Sequence, residues 1–198
     1  MAVISQEGPT TLNTRRIVVA GVLGAIAIVL GVTRLGFIPV PNTTANATIM
    51  HIPAIIGAVL EGPVVGILAG GIFGVFSWMQ ATTPLFANPI IAILPRLLIG
   101  LFAWLTYRSL ERVNQDLAAV VAGIVGTLTN SIGVLGLAIV FGFGDAIIPQ
   151  LPIIITTNVI PEIVLAAVLT PLVMRGVNLV RSGRTSATET GPRDKSSY

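Results

Sequence analysis

The chain has 198 residues, 54% of them hydrophobic and only 10% charged, with a mean hydropathy of +0.92. A soluble domain carries roughly 25% charged residues, so this composition excludes a water-soluble fold and leaves an integral membrane protein with room for one helical bundle. The absence of cysteine excludes disulfides, thiolate metal sites and cysteine nucleophiles, while the basic balance (net charge +3, pI near 10.2) comes from residues that flank apolar segments, as in membrane topology, and not from a nucleic-acid-binding face.

Residues 1–14 carry one charge, Glu7, and no apolar stretch before a cleavage site, and read as a cytoplasmic segment with no removable signal. The first apolar segment follows Arg15 and Arg16 and runs from Ile17 to Gly36. It ends in a Pro/Asn/Thr loop, Ile38 to Thr48, that cannot continue a helix. The second, Ile49 to Leu60, is short: at ~1.5 Å per residue it covers only about 18 Å, so it must be completed by its flanks, lie tilted, or stop short of a full crossing. The third is Gly62 to Met79, closed by the polar loop Gln80 to Pro89, and the fourth is Ile90 to Tyr107, ended by the charged stretch Arg108 to Asp116. The fifth runs from Leu117 to about Phe143 and, after a Gly/Asp/Pro connection, the sixth runs from about Ile153 to Val180. Residues 181–198 are Ser, Thr, Gly and charge, and read as a disordered cytoplasmic tail.

If all six segments cross, both termini share a side and so do Arg15, Arg16, Arg108, Arg112, Arg175, Arg181, Arg184, Arg193 and Lys195, the cytoplasmic bias that the positive-inside rule requires. Without the second crossing, Arg108 and Arg112 would face away from Arg15 and Arg16. The expectation is therefore an all-α membrane bundle of six helices over residues 15–180.

Small residues prepare close helix packing. Gly66, Gly70 and Gly74 form a stripe on the third segment, and the first carries two small pairs, Ala20 with Gly24 and Gly21 with Ala25. Such stripes serve packing within the bundle or the docking of another membrane protein, and the first segment is the better candidate for docking.

Polar groups within the segments are more informative, because a charge near the bilayer centre costs at least ~2.5 kcal/mol and persists only with a partner or a purpose. Counting from segment ends, Arg96 lies about 9 Å below the outer end of the fourth segment, Glu162 roughly 14 Å into the sixth, and Asn130 about 20 Å up the fifth from inside. Arg34 and His51 flank the first outer loop. All five fall in the outer half, and Asn158 shares a helix face with Glu162, so a pocket open to the outside is the economical reading. Plainer roles exist for each: Arg96 and Glu162 pairing across helices, His51 as a hydrogen-bonded helix-start residue, Asn130 as an interhelical clamp, Trp78 as part of an aromatic belt. No nucleotide-phosphate loop, zinc-helix motif or nucleophile–base pair is present, so neither an enzyme nor a bound cofactor is expected.

The stretch TIMHIPAIIGAVLEGPVVGILAGGIFGVFSW followed by NPIIAILPRLLIG resembles the substrate-binding S components of energy-coupling factor (ECF) vitamin transporters. The likeness rests on the HIP opening at His51, the EGP turn from Glu61 to Pro63, the Gly-rich third segment and the Pro95–Arg96 pair. It spans residues 15 to 180. The resemblance implies a prokaryotic inner-membrane subunit that captures a vitamin from outside and works with a transmembrane coupling subunit and two cytoplasmic ATPases. It implies a ligand site at Trp78, Gln80, Asn88, Arg96, Asn130, Asn158 and Glu162, and contact with the coupling subunit through a small-x-x-x-small pair on the first helix. Arg34 and Arg96 favour an anionic ligand. Pantothenate ranks first, ahead of riboflavin, folate or cobalamin. The alternatives are a stand-alone small-solute transporter or channel, and a structural or accessory membrane subunit.

Overall fold

The computed structural model describes residues 13–40, 42, 46–81 and 83–189, with side chains to residue 182. Residues 1–12 of the expected N-terminal segment and 190–198 of the expected tail lie outside the described residues. Helix α1 (Thr14–Val32) starts where the Asn13 side chain accepts from the Arg16 N–H at 2.9 Å. The loop after it is not irregular throughout: Phe37–Pro39 (β1) pairs antiparallel with Asn46–Thr48 (β2), Phe37 opposite Thr48. Helices α2 (Ile52–Glu61) and α3 (Pro63–Met79) meet at Gly62, whose φ of 101° turns the chain sharply between Glu61 and Pro63. A short turn, α4 (Pro84–Ala87), leads to α5 (Pro89–Leu110), and Asn114 caps α6 (Gln115–Ala138) by accepting from the N–H groups of Asp116 and Leu117.

The connection between the fifth and sixth segments is itself helical. A π turn (Ile139–Phe143), α7 (Gly144–Ile147), a 3-10 turn (Ile148–Gln150), α8 (Leu151–Ile154) and a second π turn (Ile155–Val159) lead into α9 (Ile160–Glu189). The run breaks at Gly142, where φ is 91°, and α9 then packs back along α6. α9 extends past Val180, the expected start of the tail. By length and composition, Thr14–Val32, Pro89–Leu110 and the broken run Gln115–Ser182 can cross a membrane, and α2 and α3 are shorter apolar helices.

The short α2 is the centre of the bundle. It touches α1, α3, α5, α6 and α9, and every residue from Ile52 to Val59 is buried. A helix surrounded by protein is apolar on all faces, which is why its sequence shows no polar side. Its Ile52, Ile55, Ile56 and Val59 form one core with Ile99, Ala103, Ala119, Ala122, Ala166 and Met174.

The glycine stripe of α3 lies against α5. A Cβ at Gly70 would stand 2.1 Å from the Arg96 carbonyl oxygen, and one at Gly100 would stand 2.2 Å from the Gly66 backbone. The two helices touch backbone to backbone, as small-residue packing allows. On α1, Ala20 and Gly24 are buried, and Ile72 of α3 covers Gly24 so closely that a Cβ there would meet its Cδ1 at 2.5 Å. Gly21 and Ala25 face outward, with open space around the Gly21 Cα. Of the four residues expected to dock a partner, Ala20 and Gly24 are buried, Gly24 beneath Ile72 of α3, and Gly21 and Ala25 lie on the exposed face.

Charges gather at the end of the bundle away from the hairpin. Glu61 accepts from Arg15 at 2.8 Å and from Arg181, joining the start of α1, the α2–α3 turn and the late part of α9. Asp116 holds Arg175 through two bonds of 2.7 Å, and Arg108 pairs with Glu111.

Candidate functional site

At the other end, the hairpin, the end of α3, the start of α5, the second half of α6 and the start of α9 border a cavity with two adjoining lobes. The first, about 700 Å³ with its open mouth, is lined by Gly31, Arg34, Phe37, Met50, Phe73, Phe76, Ser77 and Gln80. The second, about 410 Å³, is lined by Asn130, Ser131, Val134, Leu135, Ile154, Asn158, Val159 and Glu162. Asn46, Thr48, Phe86 and Arg96 border both.

Arg96 is the hinge of the arrangement, and its position follows from its neighbour. Pro95 has no N–H to give to the carbonyl of Ile91 one turn back, so that acceptor is left over within α5. The Arg96 Nη1 takes it, donating at 2.8 Å. The guanidinium also lies over two rings, 5.4 Å from the Phe73 centroid and 5.0 Å from that of Phe86. These contacts fix the plane of the group, while its Nε–H, buried, has no hydrogen-bond partner. Gly70 supplies the space behind it, and Gly133, on which Pro95 rests, sets the α5–α6 contact one turn from Asn130.

Glu162 is not the ion-pair partner of Arg96: among the described residues no carboxylate lies within 4.0 Å of that guanidinium. Glu162 instead accepts from the Thr48 N–H at 2.6 Å, tying β2 to α9. Asn158, on the π turn before Pro161, holds the same hairpin. Its Nδ2 donates to the Asn46 carbonyl at 2.9 Å, and its Oδ1 accepts from Asn42 at 2.6 Å. The π turn rotates this stretch so that Asn158 and Glu162 both face the cavity, which suits the association of π turns with functional sites. Asn130 is 5% exposed and its Oδ1 has no partner.

Of the expected site residues, Arg34 and Gln80 line the first lobe, Asn130, Asn158 and Glu162 line the second, and Arg96 borders both. Three others stand apart. His51 is wholly buried at the start of α2. Its Nε2 is hydrogen-bonded at 2.9 Å to the Thr127 hydroxyl, which also bonds the Gly123 carbonyl, and the histidine is a core cross-link. Asn88 caps α5, accepting from the Ile90 N–H at 2.9 Å. Trp78 is 43% exposed and donates to the Ala87 carbonyl at 3.3 Å, outside the lining of both lobes. The residues that pattern reasoning missed are Phe37, Phe73, Phe76, Phe86 and Met50 with the hairpin's Asn46 and Thr48. A phenylalanine in an apolar segment carries no signal that it faces a cavity. Pro95 before a buried arginine did carry one, because it leaves a carbonyl for that arginine to bind.

No curated protein matches the chain. The sequence model of the family described as "ECF transporter, substrate-specific component" matches residues 15–174, the region that forms the bundle and the cavity. That match spans most of the chain, and the protein belongs to the family of ECF transporter substrate-specific components.

Proposed function

We propose that this chain is the membrane-embedded vitamin-binding subunit of an ATP-driven importer, taking an anionic, water-soluble vitamin from outside through the two-lobed cavity. The observation that carries the reading is Arg96: a buried guanidinium with no carboxylate in ion-pair range, held in one plane and bordering both lobes. Burying a charge with no carboxylate in contact costs free energy that Glu162, farther off in the same lobe, offsets only in part, and an anionic ligand offsets more of it on binding. Pantothenate is the leading ligand. Its carboxylate suits Arg96, its branched apolar centre suits the Phe73, Phe76 and Phe86 walls, and its hydroxyl and amide groups suit the second lobe.

In this reading all six apolar segments cross, the Glu61 end faces the cytoplasm and the hairpin faces outside, in keeping with the positive-inside bias. A coupling subunit meets α1 on the outward-facing Gly21 and Ala25, and partner ATPases supply the energy. The test is binding of radiolabelled pantothenate to the purified full-length protein in lipid nanodiscs, for the native chain and for Arg96→Ala. Loss of a buried charge-assisted contact predicts at least about thirtyfold weaker binding in the variant, from a ~2 kcal/mol floor. Equal affinity in the two proteins would defeat the site, and pantothenate uptake by vesicles lacking any ATPase would defeat the coupled mechanism.

A further inference from the structure

A separate cleft opens at the Glu61 end of the bundle and shares no lining residue with either lobe of the hairpin cavity. It is lined by Ala58 and Val59 from α2, by Trp104, Tyr107 and Arg108 from α5, and by Arg16 from the start of α1. Two arginines remote in sequence thus converge on one concave surface. Glu111 also borders the cleft and accepts from the Arg108 Nη1. That bond takes one N–H of a guanidinium fork that has five, and the Arg108 side chain is 60% exposed, so the rest of the fork stays available.

The carboxylates of this end are already engaged: Glu61 accepts from Arg15 and Arg181, Asp116 from Arg175 and Glu111 from Arg108. Arg16 and Arg112 add charge beyond these pairs, so the described side chains leave the cleft electropositive. Beneath the charges the lining is apolar and aromatic. Trp104 and Tyr107 are residue types that settle where acyl chains meet headgroups, and the neighbouring Ile17, Val18, Phe102 and Leu105 are exposed apolar side chains on the same two helices. A soluble anion would gain from the arginines and nothing from these surfaces, whereas a phospholipid uses both. The ammonium of a zwitterionic headgroup would meet the positive field of the cleft and be repelled. We infer that the cleft holds an anionic phospholipid, its phosphate on Arg16 and Arg108, its glycerol region against Trp104 and Tyr107, and an acyl chain along the apolar helix surface. The site is distinct from the vitamin cavity and does not depend on which ligand that cavity takes.

The chain has two tryptophans, so Trp78→Phe leaves Trp104 as the sole reporter, inside the cleft. The full-length Trp78→Phe protein in micelles of a neutral detergent is titrated with phosphatidylglycerol or phosphatidylcholine, each brominated on the acyl chain near the headgroup, and quenching of Trp104 emission is followed. A neutral micelle has no leaflet potential, so an arginine counts through contact with the lipid. Phosphatidylglycerol should reach half-quenching at a mole fraction lower than phosphatidylcholine by about tenfold or more, the scale of charge-assisted hydrogen bonds. Arg16→Gln combined with Arg108→Gln should abolish that difference. Arg112→Gln, which removes a charge of the same end outside the cleft lining, should leave it unchanged. Unaltered Trp104 emission before lipid is added shows that a variant keeps the cleft, and Arg16→Gln alone decides if the double variant loses it.

Equal quenching by the two lipids overturns the inference, as does a preference that survives the loss of both arginines. An equal loss in Arg112→Gln overturns it as well, since diffuse charge and not the cleft would then select the lipid. Inorganic phosphate separates the two sources of the same chemistry. Phosphatidylglycerol quenching that withstands millimolar phosphate, at ionic strength matched with chloride, supports the lipid. If phosphate relieves the quenching, the cleft takes a soluble anion and the lipid assignment falls.

Discussion

The two ends of the bundle treat their charges in opposite ways. At the Glu61 end the ion pairs described each keep their arginine in water: Glu61 with Arg15 and Arg181, Asp116 with Arg175, Arg108 with Glu111. At the hairpin end Arg96, Asn130, Asn158 and Glu162 are all at most 5% exposed. The arginine has no ion pair, and Glu162 serves a backbone N–H. Water and counter-charges are cheap at the first end and excluded at the second, so the same residue types act as structural ties in one place and as a recognition surface in the other. A chain selected for stability alone would have paired Arg96 and Glu162 or replaced both with apolar residues.

The largest effect should come from the support beneath the hairpin end. Gly70→Leu drives a side chain into the α5 backbone at Arg96, where no flexible group can yield. The expected cost is at least about 3 kcal/mol, read as loss of the monodisperse peak in detergent and of all pantothenate binding. Native-like melting of this variant would show that the α3–α5 contact is looser than its backbone approach implies. A smaller effect is expected at the hairpin. Asn158→Ala removes the bonds to Asn42 and Asn46 but leaves the Glu162–Thr48 tie. Pantothenate dissociation should accelerate by about tenfold, with association little changed, since the loss falls on the cover of the occupied cavity. Unaltered dissociation would mean that the Glu162–Thr48 and Asn42–Thr157 bonds suffice to hold the hairpin.

This contrast was partly legible in the sequence. Rare polar residues in apolar segments must share a compartment, and Arg96, Asn130, Asn158 and Glu162 do line one cavity. The pairing of Arg96 with Glu162 was not decidable, because it turns on a third party: the Thr48 N–H, brought to Glu162 by a hairpin whose three-residue strands are too short to leave an alternating pattern. His51 was legible as polar but not as internal, since its partner Thr127 lies on α6, remote in sequence. The docking pair on α1 shows the same limit. Ala20–Gly24 and Gly21–Ala25 are equivalent as strings, and only Ile72 of α3, lying over Gly24, distinguishes them.

The charged end offers the smallest effect. In Glu61→Gln the carboxylate that joins Arg15 and Arg181 becomes a neutral amide of the same shape. The Arg15 and Arg181 side chains are 65% and 43% exposed, so both are solvated with or without their partner, and only the 10% exposed Glu61 has paid for desolvation. Screening and side-chain entropy then limit the loss to about 1 kcal/mol or less, a fall in melting temperature of roughly 2–4 °C. That fall should shrink in 0.5 M salt, because the interaction lies in the screened zone. Pantothenate affinity should not move, since the cavity shares no residue with this cluster. A Glu61→Gln protein that loses affinity along with stability would mean that the two ends are mechanically coupled. The charge cluster would then belong to the transport cycle, and its role would extend beyond the anchoring of the fold.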